Sequence, residues 1–134
     1  AVSAPQGLVV PVIKQADKKG LAEIARQEKA LTEKARDNKL TLEQLQGETI
    51  ALSNLGAYDI DSFIAIVPPP TSTILAVGNV KRITGLEGGK PAIRKKVSLS
   101  LAVDHRVING DYAAKFLSFI AEQLQNPQPL TSRD

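Results

Sequence analysis

The chain is 134 residues long, enough for one domain with a buried core, and its 43% apolar and 23% charged residues are ordinary globular proportions. The absence of cysteine excludes disulfides, thiolate metal ligands and cysteine nucleophiles, and a single histidine, His105, excludes a multi-histidine metal site. The net charge of +3 comes from 17 Lys and Arg scattered among 14 Asp and Glu, with no basic stripe interleaved with aromatics, so no nucleic-acid partner is expected.

No apolar run approaches the ~20 residues that span a bilayer, and no basic-then-apolar leader argues for secretion. The chain has no methionine and begins Ala-Val-Ser-Ala, which predicts a piece of something longer. Residues 8–13, Leu-Val-Val-Pro-Val-Ile, read as an edge or irregular strand, because Pro11 removes a ladder donor. Over 20–37, Leu21, Ile24, Ala25, Leu31 and Ala35 recur at helical spacing and predict an amphipathic helix that exits at Asn38 and Lys39. Thr41-Leu-Glu-Gln44 matches a capping box that opens a short helix, closed by Gly47. Thr49–Leu55 reads as a strand broken by Gly56. A loop around Tyr58–Asp61 leads to a second apolar, strand-like run, Phe63–Val67. Pro68-Pro69-Pro70 predicts an extended segment poor in hydrogen bonds. Thr73–Val80 is another strand, and Glu87-Gly88-Gly89-Lys90 a hairpin turn to which Gly85 is also assigned. Val97, Leu99, Leu101 and Val103 then alternate with small residues as a strand. Asn109-Gly110-Asp111 opens a last helix whose apolar face carries Ala113, Phe116, Leu117, Ile120, Ala121 and Leu124, stopped by Pro127. The expected fold class is α/β, a single domain over 1–134 with a mixed, mostly antiparallel sheet packed on helices.

His105 is the natural candidate for proton chemistry, since imidazole ionises near neutral pH. It stands just past a strongly patterned strand, on a turn into a helix. The alternative is a partly buried turn residue beside a surface pair, Asp104 and Arg106. Ser53, inside a strand, could donate a hydrogen bond to a developing oxyanion. Most strand serines do not, and no Gly-x-Ser-x-Gly elbow or Gly-rich phosphate loop is present.

The segment Asp104-His105-Arg106-Val107-Ile108-Asn109-Gly110 resembles the Asp-His-Arg-x-x-Asp-Gly signature of the dihydrolipoamide acyltransferases, the core enzymes of 2-oxo acid dehydrogenase complexes. Leu8–Ile13 with Ala16-Asp17, Lys34-Ala35-Arg36, Leu52–Gly56, Pro69-Pro70 and Ile74–Gly78 are similar to family segments in the same order. Asn109 stands where most members carry aspartate, and the tail Thr131–Asp134 is polar where members often end in an apolar docking tail. The likeness covers about the C-terminal half of the family's catalytic domain.

The resemblance implies a fold like chloramphenicol acetyltransferase and trimers, within a larger core, whose active sites lie between subunits. It implies that coenzyme A and the lipoyl arm of a separate lipoyl domain exchange an acyl group. The likeness of Ser53–Gly56 and Asp61–Phe63 to pyruvate-type members favours acetyl. By the same resemblance His105 is the general base, Ser53 the oxyanion donor and Asn109 an organiser of the turn, with no metal. The compartment would be a bacterial cytoplasm or a mitochondrial matrix. Two competing readings are a non-catalytic assembly component of such a complex and an antibiotic-acetylating enzyme of the same fold. His105 argues against the first, and the Asp-His-Arg and Ser-Asn-Leu-Gly segments against the second.

Overall fold

The computed structural model describes residues 1–131. Its chain divides into two compact units, Ala1–Thr49 with the chain from Ser118 onward, and Ile50–Leu117.

An antiparallel ribbon, β1 (Val2–Ala4) with β2 (Gly7–Val9), opens the first unit. The strand anticipated over 8–13 therefore stops at Val9. Pro11 has no N–H to give a ladder, and the Val12 N–H donates instead to the Gln44 carbonyl at 2.8 Å. Helix α1 (Leu21–Arg36) occupies the span its apolar spacing predicts and buries Leu31 and Ala35. At its end Asn38 takes the left-handed conformation at φ 55°. The Lys39 N–H then reaches the Lys34 carbonyl at 2.8 Å and the Asn38 N–H the Ala35 carbonyl at 3.2 Å. These two bonds satisfy carbonyls that the helix end would otherwise leave open. The capping-box segment forms one 3-10 turn, Leu42–Leu45, with the Gln44 side-chain oxygen accepting the Thr41 N–H at 3.1 Å. Gly47 follows at φ 89°, a conformation that suits only glycine.

The second unit is built on a three-stranded sheet in the order β3–β4–β5. β3 (Ala51–Asn54) runs parallel to β4 (Thr73–Glu87), and β5 (Lys90–Val103) runs antiparallel to it. The register aligns Ser53 with Ala76 and Ala76 with Ser100. Ala51, Ile74 and Ala76 are the buried apolar side chains here. β4 and β5 extend well beyond the strands read from the sequence, as a two-stranded ribbon closed by Gly88 and Gly89 at φ 56° and 78°. Those angles are what a two-residue hairpin connection requires. Gly85 lies inside β4 opposite Ala92 and not in the turn. The ribbon's polar run hid it, because no third strand imposes a buried face there. Two successive rungs pair like charges, Lys81 with Lys96 and Arg82 with Lys95.

Two other expectations fail in this unit. Phe63–Val67 joins no ladder, and Ile64 and Ile66 are 87% and 90% exposed. Apolar character alone does not make a strand; a ladder needs a neighbouring edge, and no strand among the described residues pairs with this segment. The three prolines form a turn rather than an extended stretch. The Thr71 N–H and hydroxyl both donate to the Pro68 carbonyl, at 2.9 and 2.6 Å, and the Pro69–Pro70 peptide is cis.

Helix α2 (Gly110–Gln125) starts where expected, its first-turn bond running from the Ala113 N–H to the Asn109 carbonyl at 3.0 Å. A short α3 (Gln128–Thr131) follows Pro127. Residues 132–134 of the polar tail lie outside the described residues.

Among the described residues, the buried apolar side chains are Leu31, Ala35, Ala51, Ile74 and Ala76, and no large side chain is fully buried. No side chain of α2 is fully buried; on its apolar face Ala113, Leu117, Ile120 and Ala121 are half-buried and Leu124 is 52% exposed. Each large apolar side chain taken fully from water contributes ~1.5–3 kcal/mol, while ordering the backbone costs ~1–2 kcal/mol per residue. Leu31 and Ile74, the large apolar side chains buried among the described residues, make a small core against that cost. The 134-residue polypeptide alone is therefore expected to self-associate or aggregate and to lack a cooperative melt. Sedimentation and calorimetry at micromolar concentration check this; a cooperatively melting monomer would contradict it.

Candidate functional site

The histidine turn begins where β5 ends. The Asp104 N–H donates to the Ser72 carbonyl at 2.8 Å, pinning the strand end beside β4. The Asp104 carbonyl then accepts from Val107 and Ile108 at 3.1 and 3.0 Å, which folds 104–108 into a tight turn. The Asp104 carboxylate accepts four bonds from Arg106: its backbone N–H at 3.0 Å, Nε at 3.0 and 3.1 Å, and Nη2 at 2.7 Å. These bonds hold the Asp104 carboxyl down at about 2. The pair is thus the brace of the turn and more than a chance surface contact.

Inside that turn His105 is exposed, and its imidazole has no hydrogen-bond partner among the described residues. It lies against the start of α2: a Cβ added to Gly110 would sit 4.0 Å from Nε2. Asn109 is also exposed and hands its carbonyl to the first turn of that helix. A hollow of about 400 Å³ beside the brace is lined by Val67, Pro69, Pro70, Val103, Asp104 and Arg106, among others.

Ser53 sits in β3, half-buried, its hydroxyl also without a partner among the described residues. Within one chain it does not meet His105. Ser53 lies three rungs along from the Thr73–Val103 pair and on the far side of β4. At ~3.3 Å per residue and ~4.8 Å per strand, that is roughly 10 Å along the sheet and roughly 10 Å across it. The larger hollow, about 500 Å³ in the first unit and lined by Lys14, Lys19, Lys34 and Glu43 among others, contains none of these residues. No group of three or more His, Asp or Glu side chains positioned for a metal occurs among the described residues.

Spacing along the chain gave no hint of a clasp that closes around the Ser53 strand. β4 bulges between Val77 and Val80, so that Gly78 and Asn79 together face Ser98. The loop after Ser53 folds onto this bulge. The Leu55 N–H donates to the Val77 carbonyl at 3.2 Å, and the Asn79 N–H to the Ile60 carbonyl at 2.8 Å. Asn79 Nδ2 donates to Asp59 and Lys81 Nζ to Asp61, both at 2.5 Å. A Cβ at Gly78 would overlap the Asp61 carbonyl. The one available signal was a lone glycine inside a β-branched run, which often marks a bulge.

One mixed sheet thus carries a strand hydroxyl and, on a braced turn, an imidazole, both without a hydrogen-bond partner among the described residues. The chain belongs to the 2-oxoacid dehydrogenases acyltransferase (catalytic domain) family, whose model matches residues 1–132. It is 40% identical over 97% of its length to the mitochondrial pyruvate dehydrogenase protein X component of Mus musculus, covering 27% of that protein. It is 42% identical over 97% of its length to the dihydrolipoyllysine-residue succinyltransferase component of the 2-oxoglutarate dehydrogenase complex of Haemophilus influenzae, covering 32% of it. The dihydrolipoamide acetyltransferase of Azotobacter vinelandii, studied for the role of a serine, a histidine and an asparagine in its catalytic mechanism, superposes with TM-score 0.90 at 36% identity over 97% of this chain and 54% of that one. The cubic core of the pyruvate dehydrogenase multienzyme complex gives the same TM-score at 37% identity and the same coverage of both chains. The chain thus spans about a third or less of these curated relatives and about half of the solved chains.

The Asp104 carboxyl is lower in the folded chain than its ordinary value of about 3.9. Its stabilisation of the turn is therefore fully present above that value and lost as pH falls through about 2. In the full-length protein, amide exchange of the 104–110 segment, corrected for intrinsic rate, should be flat from pH 5 to 8. Asp104→Asn should raise it at neutral pH. An unchanged exchange rate in that variant would mean the brace does not hold the turn.

Proposed function

We propose that this chain supplies the reacting side chains of a dihydrolipoamide acyltransferase, moving an acyl group, acetyl by preference, between dihydrolipoamide and coenzyme A. The observation that carries the reading is a trio of residues at matching spacing. Ser53, His105 and Asn109 stand 52 and 4 residues apart, the same separations as the serine, histidine and asparagine studied in the Azotobacter vinelandii acetyltransferase.

The chemistry follows from the groups. A free thiol has a pKa of about 8.5 and is mostly protonated at neutral pH. His105, exposed and unpartnered among the described residues, takes the thiol proton as sulfur attacks the thioester carbon. The carbonyl oxygen becomes an oxyanion, to which the Ser53 hydroxyl donates a hydrogen bond. Collapse expels the second sulfur, and the imidazolium returns the proton to it. Asn109 organises the turn into α2 and takes no part in proton transfer. No step calls for a metal.

The separation of Ser53 from His105 within one chain supports a site completed between copies, in trimers within a larger core. Coenzyme A and the lipoyl arm are its substrates, and a lipoyl domain and other complex components its partners. The likeness of Ser53–Gly56 and Asp61–Phe63 to acetyl-transferring members favours acetyl over succinyl, although a succinyltransferase is among the relatives. The protein would work in a bacterial cytoplasm or a mitochondrial matrix. A second reading, a structural component of such a complex, draws on the relative named as protein X and not as a transferase; the presence of His105 favours catalysis.

Two variants in the full-length protein test the assignment, with acetyl-CoA, succinyl-CoA and free dihydrolipoamide as substrates. His105→Ala should lower kcat by ~10²–10⁴ while leaving assembly intact; retention of a tenth of the activity refutes it. Ser53→Ala should lower kcat by ~10²–10³ with KM nearly unchanged, because an oxyanion donor acts only in the transition state. A pure KM effect would make Ser53 a binding residue instead.

A further inference from the structure

The bulge in β4 has a cost that its own strand does not explain. It interrupts the β4–β5 ladder between Val77 and Val80, and it buries the Asn79 Oδ1 without a hydrogen-bond partner. Bulges of this kind re-aim chain and end pairing beside functional sites. This one sits at the end of the strand that carries Ser53. The last β3–β4 pair is Asn54 with Val77, immediately before it.

From that point the loop is fastened at several places. Asn54 Oδ1 accepts the Gly56 N–H at 2.8 Å, turning the chain out of the sheet. A Cβ at Gly56 would come within 2.9 Å of both the Asn79 Cα and the Gly78 carbonyl oxygen, so the loop backbone lies directly on the bulge. Asp59 takes the left-handed conformation at φ 58°. In that pose its carboxylate accepts from Asn79 Nδ2, while the Ile60 carbonyl accepts from the Asn79 N–H. Asn79 thus grips the loop with both its side chain and its backbone, and the Lys81–Asp61 pair closes the far end.

We propose that Asn79 is a positioning residue for Ser53, acting through the 55–60 loop, which the Gly78–Asn79 bulge holds so that the β3 strand end cannot shift. The inference rests on the reading of Ser53 as the oxyanion donor. A hydroxyl that must meet a developing charge within a few tenths of an ångström is sensitive to such a shift, whereas looser ground-state contacts are not.

The test is a double-mutant cycle in the full-length protein, with acetyl-CoA and dihydrolipoamide. Asn79→Ala should lower kcat about tenfold with KM nearly unchanged. In a Ser53→Ala background it should add no further loss, because nothing remains to be positioned. Asp59→Ala removes the same side-chain bond from an exposed loop residue and should behave alike; it also reads the proposal if Asn79→Ala fails to assemble. Full activity in both variants, or a tenfold loss that multiplies with Ser53→Ala, overturns the inference while leaving Ser53 as the donor. If Ser53→Ala alone leaves kcat unchanged, the functional reading itself is what has failed.

Discussion

Everything in the second unit depends on β4 being hydrogen-bonded on both sides. Its parallel edge receives β3 with Ser53, and its antiparallel edge receives β5, which delivers His105. Ladder bonds set the register to a single residue, and a slip by one would turn every side chain to the other face. β4 is therefore a ruler that places Ser53 roughly 10 Å along and roughly 10 Å across the sheet from Val103, two residues before His105. That separation is fixed by backbone geometry and not by any contact between the two side chains.

The same ruler gives a reason for association between copies. Each chain presents one hydroxyl and one imidazole too far apart to share a substrate atom, and each leaves large apolar side chains in water. Under the reading proposed above, contacts with a second copy would address both deficits together. Burial and site completion would then draw on the same surfaces, so substitutions on those surfaces, unlike His105→Ala, should affect assembly and activity together.

Legibility in the sequence followed the physics of each element. α1 and α2 were readable because an apolar period of about 3.6 residues over four turns suits a helix and no strand, and their ends carried Asn38 and Asn109 as punctuation. The hairpin was readable from Gly88-Gly89. The outer ribbon was not, because without a covering layer its residues need not alternate. Phe63–Val67 misled for the converse reason, being apolar with no edge to join. For the site, His105 stood out as the lone imidazole and Ser53 as a strand hydroxyl, and the family resemblance supplied the roles expected of them. The Asp104–Arg106 pair was visible as neighbouring charges but its bracing geometry was not, and the Asn79 clasp stayed hidden, because side-chain geometry is not encoded in spacing.

The like-charged rungs of the outer ribbon bear on a different problem. A two-stranded ribbon with no third strand offers a free backbone edge on each side, and such edges invite another ribbon to add on and propagate. Lys81 opposite Lys96 and Arg82 opposite Lys95 weaken the ribbon's own pairing somewhat, and among the described residues only Lys81 of the four has a carboxylate within ion-pair distance. Any second copy approaching edge to edge would bring more cations beside these. Repulsion of this kind would disfavour edge-to-edge addition at a small cost in local stability. Because Debye screening shortens its reach to about 8 Å at physiological salt and about 3 Å at 1 M, that protection is weakest in concentrated salt.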